Sequence, residues 1–353
     1  MKTRLERCRE AMAQRDISAL LVTNIDNVRY LSGFSGSAGS CLITRSGAHF
    51  VTDGRYGIQA RLEVKDFVVH IDTAQPQIEL NSLLKSVGTP IGYEADSLTV
   101  ARLQHLQDAT GRQFEAASGL VEELRLLKDA DEIATIRQAV RIVDETFAQV
   151  IGFIRAGRTE KEIALEIDMA MRRRGAEKAG FDTIVASGPH SAWPHAHPTD
   201  RILERGDFVT LDFGALYNGY NSDITRTVVV GAPSDRQRQV YAVVLEAQLK
   251  ALDAIRPGLK GKDVDAAARD IIERAGYGNQ FMHSLGHSLG RTVHDGPGFG
   301  RTVEQELAPG MVLTVEPGIY VEGWGGIRIE DDVMVTADGC EILTRSAKTL
   351  LSV

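Results

Sequence analysis

Residues 206–231 read GDFVTLDFGALYNGYNSDITRTVVVG, with β-branched and aromatic residues on both sides of Tyr217-Asn218-Gly219-Tyr220. Asn-Gly favours a two-residue turn because both residues tolerate positive φ. The stretch therefore predicts a β-hairpin with the Tyr-Asn-Gly-Tyr piece at its turn. Strand signals also occur in FDTIVASG (181–188), MVLTVEPGIYVE (311–322) and GIRIEDDVMVT (326–336). Helix signals separate them. One helical pattern begins near 130 and runs to Gly157. Thr159-x-x-Glu162 and Ser234-x-x-Gln237 are capping boxes that open two more, and GKDVDAAARDIIERAGYG gives a fourth, closed by Gly276. Paired strands with helices between them predict an α+β fold, not a doubly wound parallel sheet.

The first 120 residues have another rhythm. A helix over 2–15 precedes SALLVT (18–23), YLSGFSGSAGSCLIT (30–44), AHFVTD (48–53) and FVVHID (67–72). A helix near 77–87, the strand PIGYEA (90–95) and helices near 99–110 and 118–128 complete a small α/β domain. A chain of 353 residues exceeds one typical core. The boundary falls at LRLLKDADEIATI, giving domains 1–125 and 126–353. The net charge is −8 and no lysine or arginine block occurs, which argues against nucleic acid or an anionic membrane as partner. The N-terminus lacks the apolar region of a signal peptide, and no apolar run approaches the ~20 residues of a membrane span. The three cysteines, Cys8, Cys41 and Cys340, are odd in number and far apart. They form no zinc motif and fit reduced thiols and a cytoplasmic location.

The chemistry concentrates in FMHSLGHSLGRTVHD (281–295), which holds three of the chain's nine histidines. Within it GHSLG (286–290) fits the nucleophile elbow G-x-S-x-G. An α/β-hydrolase needs serine, then an acid, then histidine in chain order. Only His294 follows Ser288 and no acid lies between them, so Ser288 reads as a small packed residue. Asp212-Phe213-Gly214 lacks the other kinase motifs and is a chance match. Four acids sit in or beside β-branched runs: Asp212, Asp223, Glu316 and Glu330. Buried carboxylates are costly unless paired or bound to metal. The hairpin can bring Asp212 and Asp223 opposite each other, where their like charges call for cations. Two divalent ions match four carboxylates in charge, and an imidazole adds a neutral ligand. Such oxygen-rich donors suit Mn²⁺, with Co²⁺ or Zn²⁺ as alternatives, rather than copper or a cysteine zinc site.

These residues, DFG…SDITRT, HSLGHSLGRTVHD, TVEPGIY and GIRIEDD, resemble the five-ligand pattern of the pita-bread metallopeptidases, over about residues 130–350. The family includes methionine aminopeptidase, prolidase and aminopeptidase P. The resemblance implies two divalent metal ions held by Asp212, Asp223, His287, Glu316 and Glu330. Ser284 and Ser288 depart from the pattern, Ser288 where relatives often have glycine. SGPHSAWPHAHP (187–198) resembles the segment whose histidine faces substrate, a role carried to His195 and not to His190 or His197. His283 and His294 flank the ligand as in the Xaa-Pro branch, implying contact with the substrate carbonyl and proton transfer. Tyr320 and Arg328 resemble residues near a proline pocket; packing and pairing with an acid are their plainer readings. NVRYLSGFSGSAG (27–39) and VTDGRY (51–56) resemble the creatinase/prolidase N-terminal domain, that of aminopeptidase P in particular, and imply a homodimer. The implied activity is hydrolysis of an N-terminal Xaa-Pro bond by an aminopeptidase, with Glu316 moving the proton. A dipeptidase restricted to Xaa-Pro is the alternative, and a non-catalytic binding module on the same fold a remote one.

Overall fold

In the computed structural model, which describes residues 2–72 and 77–353, Asn218 and Gly219 take φ of 46° and 75° and close the hairpin. Tyr217 pairs with Tyr220 across that turn. The long strands Phe208–Phe213 and Ile224–Val229 continue in the same register, with Asp212 opposite Thr225. Asp223 therefore lies diagonal to Asp212, not opposite it. Period-2 alternation decides which face each side chain takes. Val209, Leu211, Phe213, Ile224 and Val228 join one apolar cluster with the helices Ala130–Val150 and Glu160–Arg173. Thr210, Asp212, Thr225 and Thr227 occupy the other face, where the Thr210 and Thr227 hydroxyls lie 3.2 Å apart.

The chain divides into two units, Met1–Arg125 and Leu126–Val353. In the first, six strands run in the order Val68–Asp72, Ala48–Asp53, Ser40–Thr44, Ala19–Val22, Ile91–Tyr93, Phe114–Ala116. The two central pairings are antiparallel and the outer three parallel. Helix Arg4–Gln14 starts at a Thr3/Glu6 capping box and buries Leu5, Cys8 and Met12, spaced for one helical face. The stretch from Tyr30 is not all strand. Asn24 caps a helix over Ile25–Ser32, which Gly33 ends at φ 74°, and the strand begins only at Ser40.

In the second unit, capping boxes at Asp129, Thr159 and Ser234 open the helices Ala130–Val150, Glu160–Arg173 and Asp235–Ala254. The first stops at Val150 rather than reaching Gly157, because Phe153 turns back to bond the Val150 carbonyl. Asp235–Ala254 and Gly261–Arg274 share a second apolar core with strand Val312–Val315 and the hairpin Gly318–Val321/Gly325–Arg328. Strand Asp331–Val335 pairs with Val312–Val315 and with Cys340–Ile342. Among the described residues, no helix is long and apolar enough to cross a membrane.

Candidate active site

Strand ends from several hairpins meet at a cavity of about 620 Å³ lined by Asp212, Asp223, His287, Glu316 and Glu330. One donor atom each from Asp223, His287 and Glu330 lies within 4.8 Å of the others. His287 Nε2 is 3.6 Å from Asp223 Oδ2 and 3.6 Å from Glu316 Oε1. His287 Nδ1 sits 3.1 Å from the Ser288 carbonyl, which can only accept, so Nδ1 carries the proton and Nε2 offers a lone pair. Glu330 accepts from Thr225 Oγ1 at 2.6 Å, and Glu316 from Thr314 Oγ1 at 3.3 Å.

The electrostatics favour a cation. Burial, reinforced by Glu330, Asp212, Asp332 and Glu316, pushes the Asp223 carboxyl far above its usual range. Burial and the charges of Glu316 and Asp212 do the same to Glu330. Glu316 is raised by burial to about 8 even though Arg328 opposes the shift. Burial lowers His287 to about 4, so its imidazole is neutral at pH 7 and ready to ligate. Asp212 Oδ1 and Asp223 Oδ1 are buried without a hydrogen-bond donor among the described residues. Donorless buried carboxylate oxygens beside a neutral imidazole suit a hard or borderline divalent cation.

Arg328 is tied into this cluster. Its side chain is 4 % exposed, its Nη2 is bonded to Asp212 Oδ2, and its Nε lies 3.9 Å from Glu316 Oε2. Nη1 donates to Tyr320 Oη at 2.7 Å. The Tyr320 hydroxyl in turn meets His283 Nε2 at 3.0 Å, and His283 Nδ1 meets the Ser284 carbonyl at 2.8 Å. Arg328 lines the cavity but its guanidinium is spent on Asp212 and Tyr320. Tyr320 stands behind His283 rather than on the cavity wall. His283 lines the cavity with both ring nitrogens hydrogen-bonded. His195 and His294 line the cavity and are exposed, and the His294 ring stacks on His287 at 4.0 Å between centroids. His197, to which the sequence assigns no role, lines the cavity too, while His190 is bonded to Glu160. The apolar wall of Phe181, Ile184, Val293, Phe299 and Val303 carried no sequence signal.

Ser288 is 1 % exposed and donates to the Pro297 carbonyl, so it is no nucleophile. Gly286 exists for contact: a Cβ there would fall 2.0 Å from the Thr314 carbonyl oxygen, on the strand that leads to Glu316. Replacing Arg328 with Met should destabilise the ion-stripped protein by about 3–5 kcal/mol, because Asp212 is left buried and unpaired. Guanidinium chloride unfolding measures this. A loss no larger than that of an exposed pair, about 1 kcal/mol or less, would remove Arg328 as the charge partner of Asp212.

Residues 134–337 match the model of metallopeptidase family M24, and residues 4–127 that of the creatinase/prolidase N-terminal domain. The chain belongs to metallopeptidase family M24. Its second unit has the pita-bread fold, preceded by a creatinase-like N-terminal domain. It is 39% identical to the Xaa-Pro dipeptidase of Pyrococcus furiosus, covering 99% of this chain and 100% of that one. The structure of an Xaa-Pro dipeptidase from Bacillus anthracis matches at TM-score 0.97 and 43% identity, over 99% of each chain. That of an X-Pro aminopeptidase from Thermotoga maritima matches at TM-score 0.90 and 41% identity, over 100% of each.

Proposed function

We propose that this M24 metallopeptidase is an Xaa-Pro dipeptidase. The observation that carries the reading is a cavity of four carboxylates, three of them buried and Glu316 partly so, and one neutral imidazole in a chain that Xaa-Pro dipeptidases match from end to end. This reverses the preference drawn from GFSGSAG and TDGRY. Those motifs cannot separate the two activities, because the dipeptidase relatives also cover the N-terminal domain. The Thermotoga relative favours the second reading, an Xaa-Pro aminopeptidase acting on longer peptides.

Asp212, Asp223, His287, Glu316 and Glu330 would hold two divalent ions, Mn²⁺ first and Co²⁺ or Zn²⁺ next. Bound there, the ions supply Lewis acidity and lower the pKa of water. Glu316 takes the proton of the attacking water and delivers it to the proline nitrogen, which has no hydrogen of its own in the peptide. His294, whose pKa is lowered by partial desolvation and by His195, donates a hydrogen bond from its neutral imidazole to the carbonyl oxygen as charge develops on it. His195 holds the substrate from the facing loop. The free cysteines fit a cytoplasmic enzyme, and we read it as a homodimer.

Protein stripped by chelator and reloaded with Mn²⁺, Co²⁺ or Zn²⁺ tests the reading, with an Xaa-Pro dipeptide and an Xaa-Pro-Yaa tripeptide followed by mass spectrometry. Metal-restored cleavage of the dipeptide alone is expected. Release of Xaa from the tripeptide at a comparable rate would shift the assignment to the aminopeptidase. No cleavage of either by protein with measured metal content would remove proline specificity.

A further inference from the structure

Glu160 opens the helix Glu160–Arg173 and is 0 % exposed. Its two carboxylate oxygens hold two points far apart on one loop. Oε1 accepts from Ser187 N at 2.7 Å and Ser187 Oγ at 2.8 Å. Oε2 accepts from Thr199 N at 3.0 Å and Thr199 Oγ1 at 2.6 Å. His190 Nδ1 stands 3.0 Å from both, and since a carboxylate only accepts, that nitrogen carries the proton. Burial alone would raise this carboxyl, yet the bonds from Thr199, His190 and Ser187 hold it below the usual range, so it is ionised at neutral pH.

Between the two clamped ends run residues 188–198. The first part has other anchors: Ser191 Oγ accepts from Gly326 N at 2.8 Å, and the Pro194 carbonyl from Arg328 Nη1 at 3.3 Å. The next residues, His195 to His197, line the cavity. After Pro194, Ala196 is buried against Ile184 and Ala186, and the next side-chain hydrogen bonds are those of the Thr199–Glu160 pair. His195 is thus held on one side by a residue bonded to Asp212 and on the other by Glu160.

We propose that Glu160 is a positioning residue that acts through His195, by fixing the 188–198 loop whose residues 194–197 line the cavity. The inference rests on the proposed peptidase reading for its kinetic consequence and on the loop itself for its structural one. Glu160→Gln keeps the shape but turns an NH₂ toward a group that is itself a donor, so one clamp opens. Misplacing a group by about 1 Å costs on the order of a hundredfold in rate. Glu160→Gln should therefore lower kcat/KM on an Xaa-Pro dipeptide by about ten- to a hundredfold, with metal content unchanged. In a His195→Ala background the same change should add less than about twofold, because residues acting as one unit are not additive. Amide hydrogen exchange over 193–199 should speed up by at least about tenfold, as expected for local opening. Thr199→Val, which removes one hydroxyl donor, should show the same pattern more weakly and serves if Glu160→Gln does not fold. Equal losses with and without His195, or no loss in wild-type background, would overturn the inference. If the wild-type protein cleaves no Xaa-Pro substrate, the functional reading fails and exchange alone decides: unaltered exchange in the Glu160 and Thr199 variants sinks the clamp.

Discussion

Stripping divalent ions should abolish peptide cleavage and lower thermal stability more at pH 8 than at pH 6. The sign follows from the carboxylates. In the cation-free fold Glu316 holds its proton up to about pH 8, and Asp223 and Glu330 are also raised, whereas in the unfolded chain all three ionise near 4–4.5. The folded state thus binds more protons than the unfolded state across that window. Stability therefore falls as pH rises from about 4.5 to 8. For a buried group, each tenfold gain in proton affinity on folding corresponds to about 1.4 kcal/mol. Ions that pair with the carboxylates remove this penalty, so their stabilising effect grows as pH rises. A thermal melt with and without Mn²⁺ at the two pH values reads the difference directly. Equal changes in Tm at pH 6 and pH 8 would mean that these carboxylates do not receive the ion.

Glu330→Gln should move activity and stability in opposite directions. The substitution removes a charge from the proposed metal-holding set and should lower kcat/KM on the order of a thousandfold, or about 4 kcal/mol of barrier. The same change takes away a buried like charge that raises Asp223. The amide oxygen can still accept from Thr225 Oγ1, which bonds Glu330 Oε2 at 2.6 Å. Ion-stripped Glu330→Gln should therefore be more stable than ion-stripped wild type at pH 8, by about 1–3 kcal/mol. Denaturant unfolding at that pH checks it. A variant that loses both activity and ion-free stability would make the Glu330 carboxylate a structural group.

The acidic positions of the cavity were legible because chemistry marks them. A charged residue inside a β-branched run is conspicuous, and Asp212, Asp223, Glu316 and Glu330 all line one cavity. The hairpin was legible because Asn218-Gly219 is a local signal that needs no tertiary context. Three features were not. The helix Ile25–Ser32 was hidden by the glycines and serines after it, although Asn24 and Gly33 bracket it. That Arg328 pairs with an acid could be read, but that the acid is Asp212, 116 positions away, no local pattern records. The apolar wall around Phe299 and Val303 looks in sequence like any core segment, since lining a cavity and filling a core ask for the same residue types. His197 shows the same limit: its loop could be recognised, but which histidines face inward depends on where Glu160 grips that loop.

The buried guanidinium of Arg328 changes the electroneutrality of the centre. Tyr320, Asp212, Glu316 and Glu330 keep it charged in spite of its burial. Four ionised carboxylates with this cation carry minus three, not the minus four that the acids alone suggest. The two divalent ions proposed for the site would then leave one positive charge in a low-dielectric hollow. A single small anion, such as the carboxylate of a short peptide, would restore neutrality. With those ions in place, the fixed cation of Arg328 would bias the chamber toward binding anions, and toward competition from simple anions such as carboxylates in the buffer.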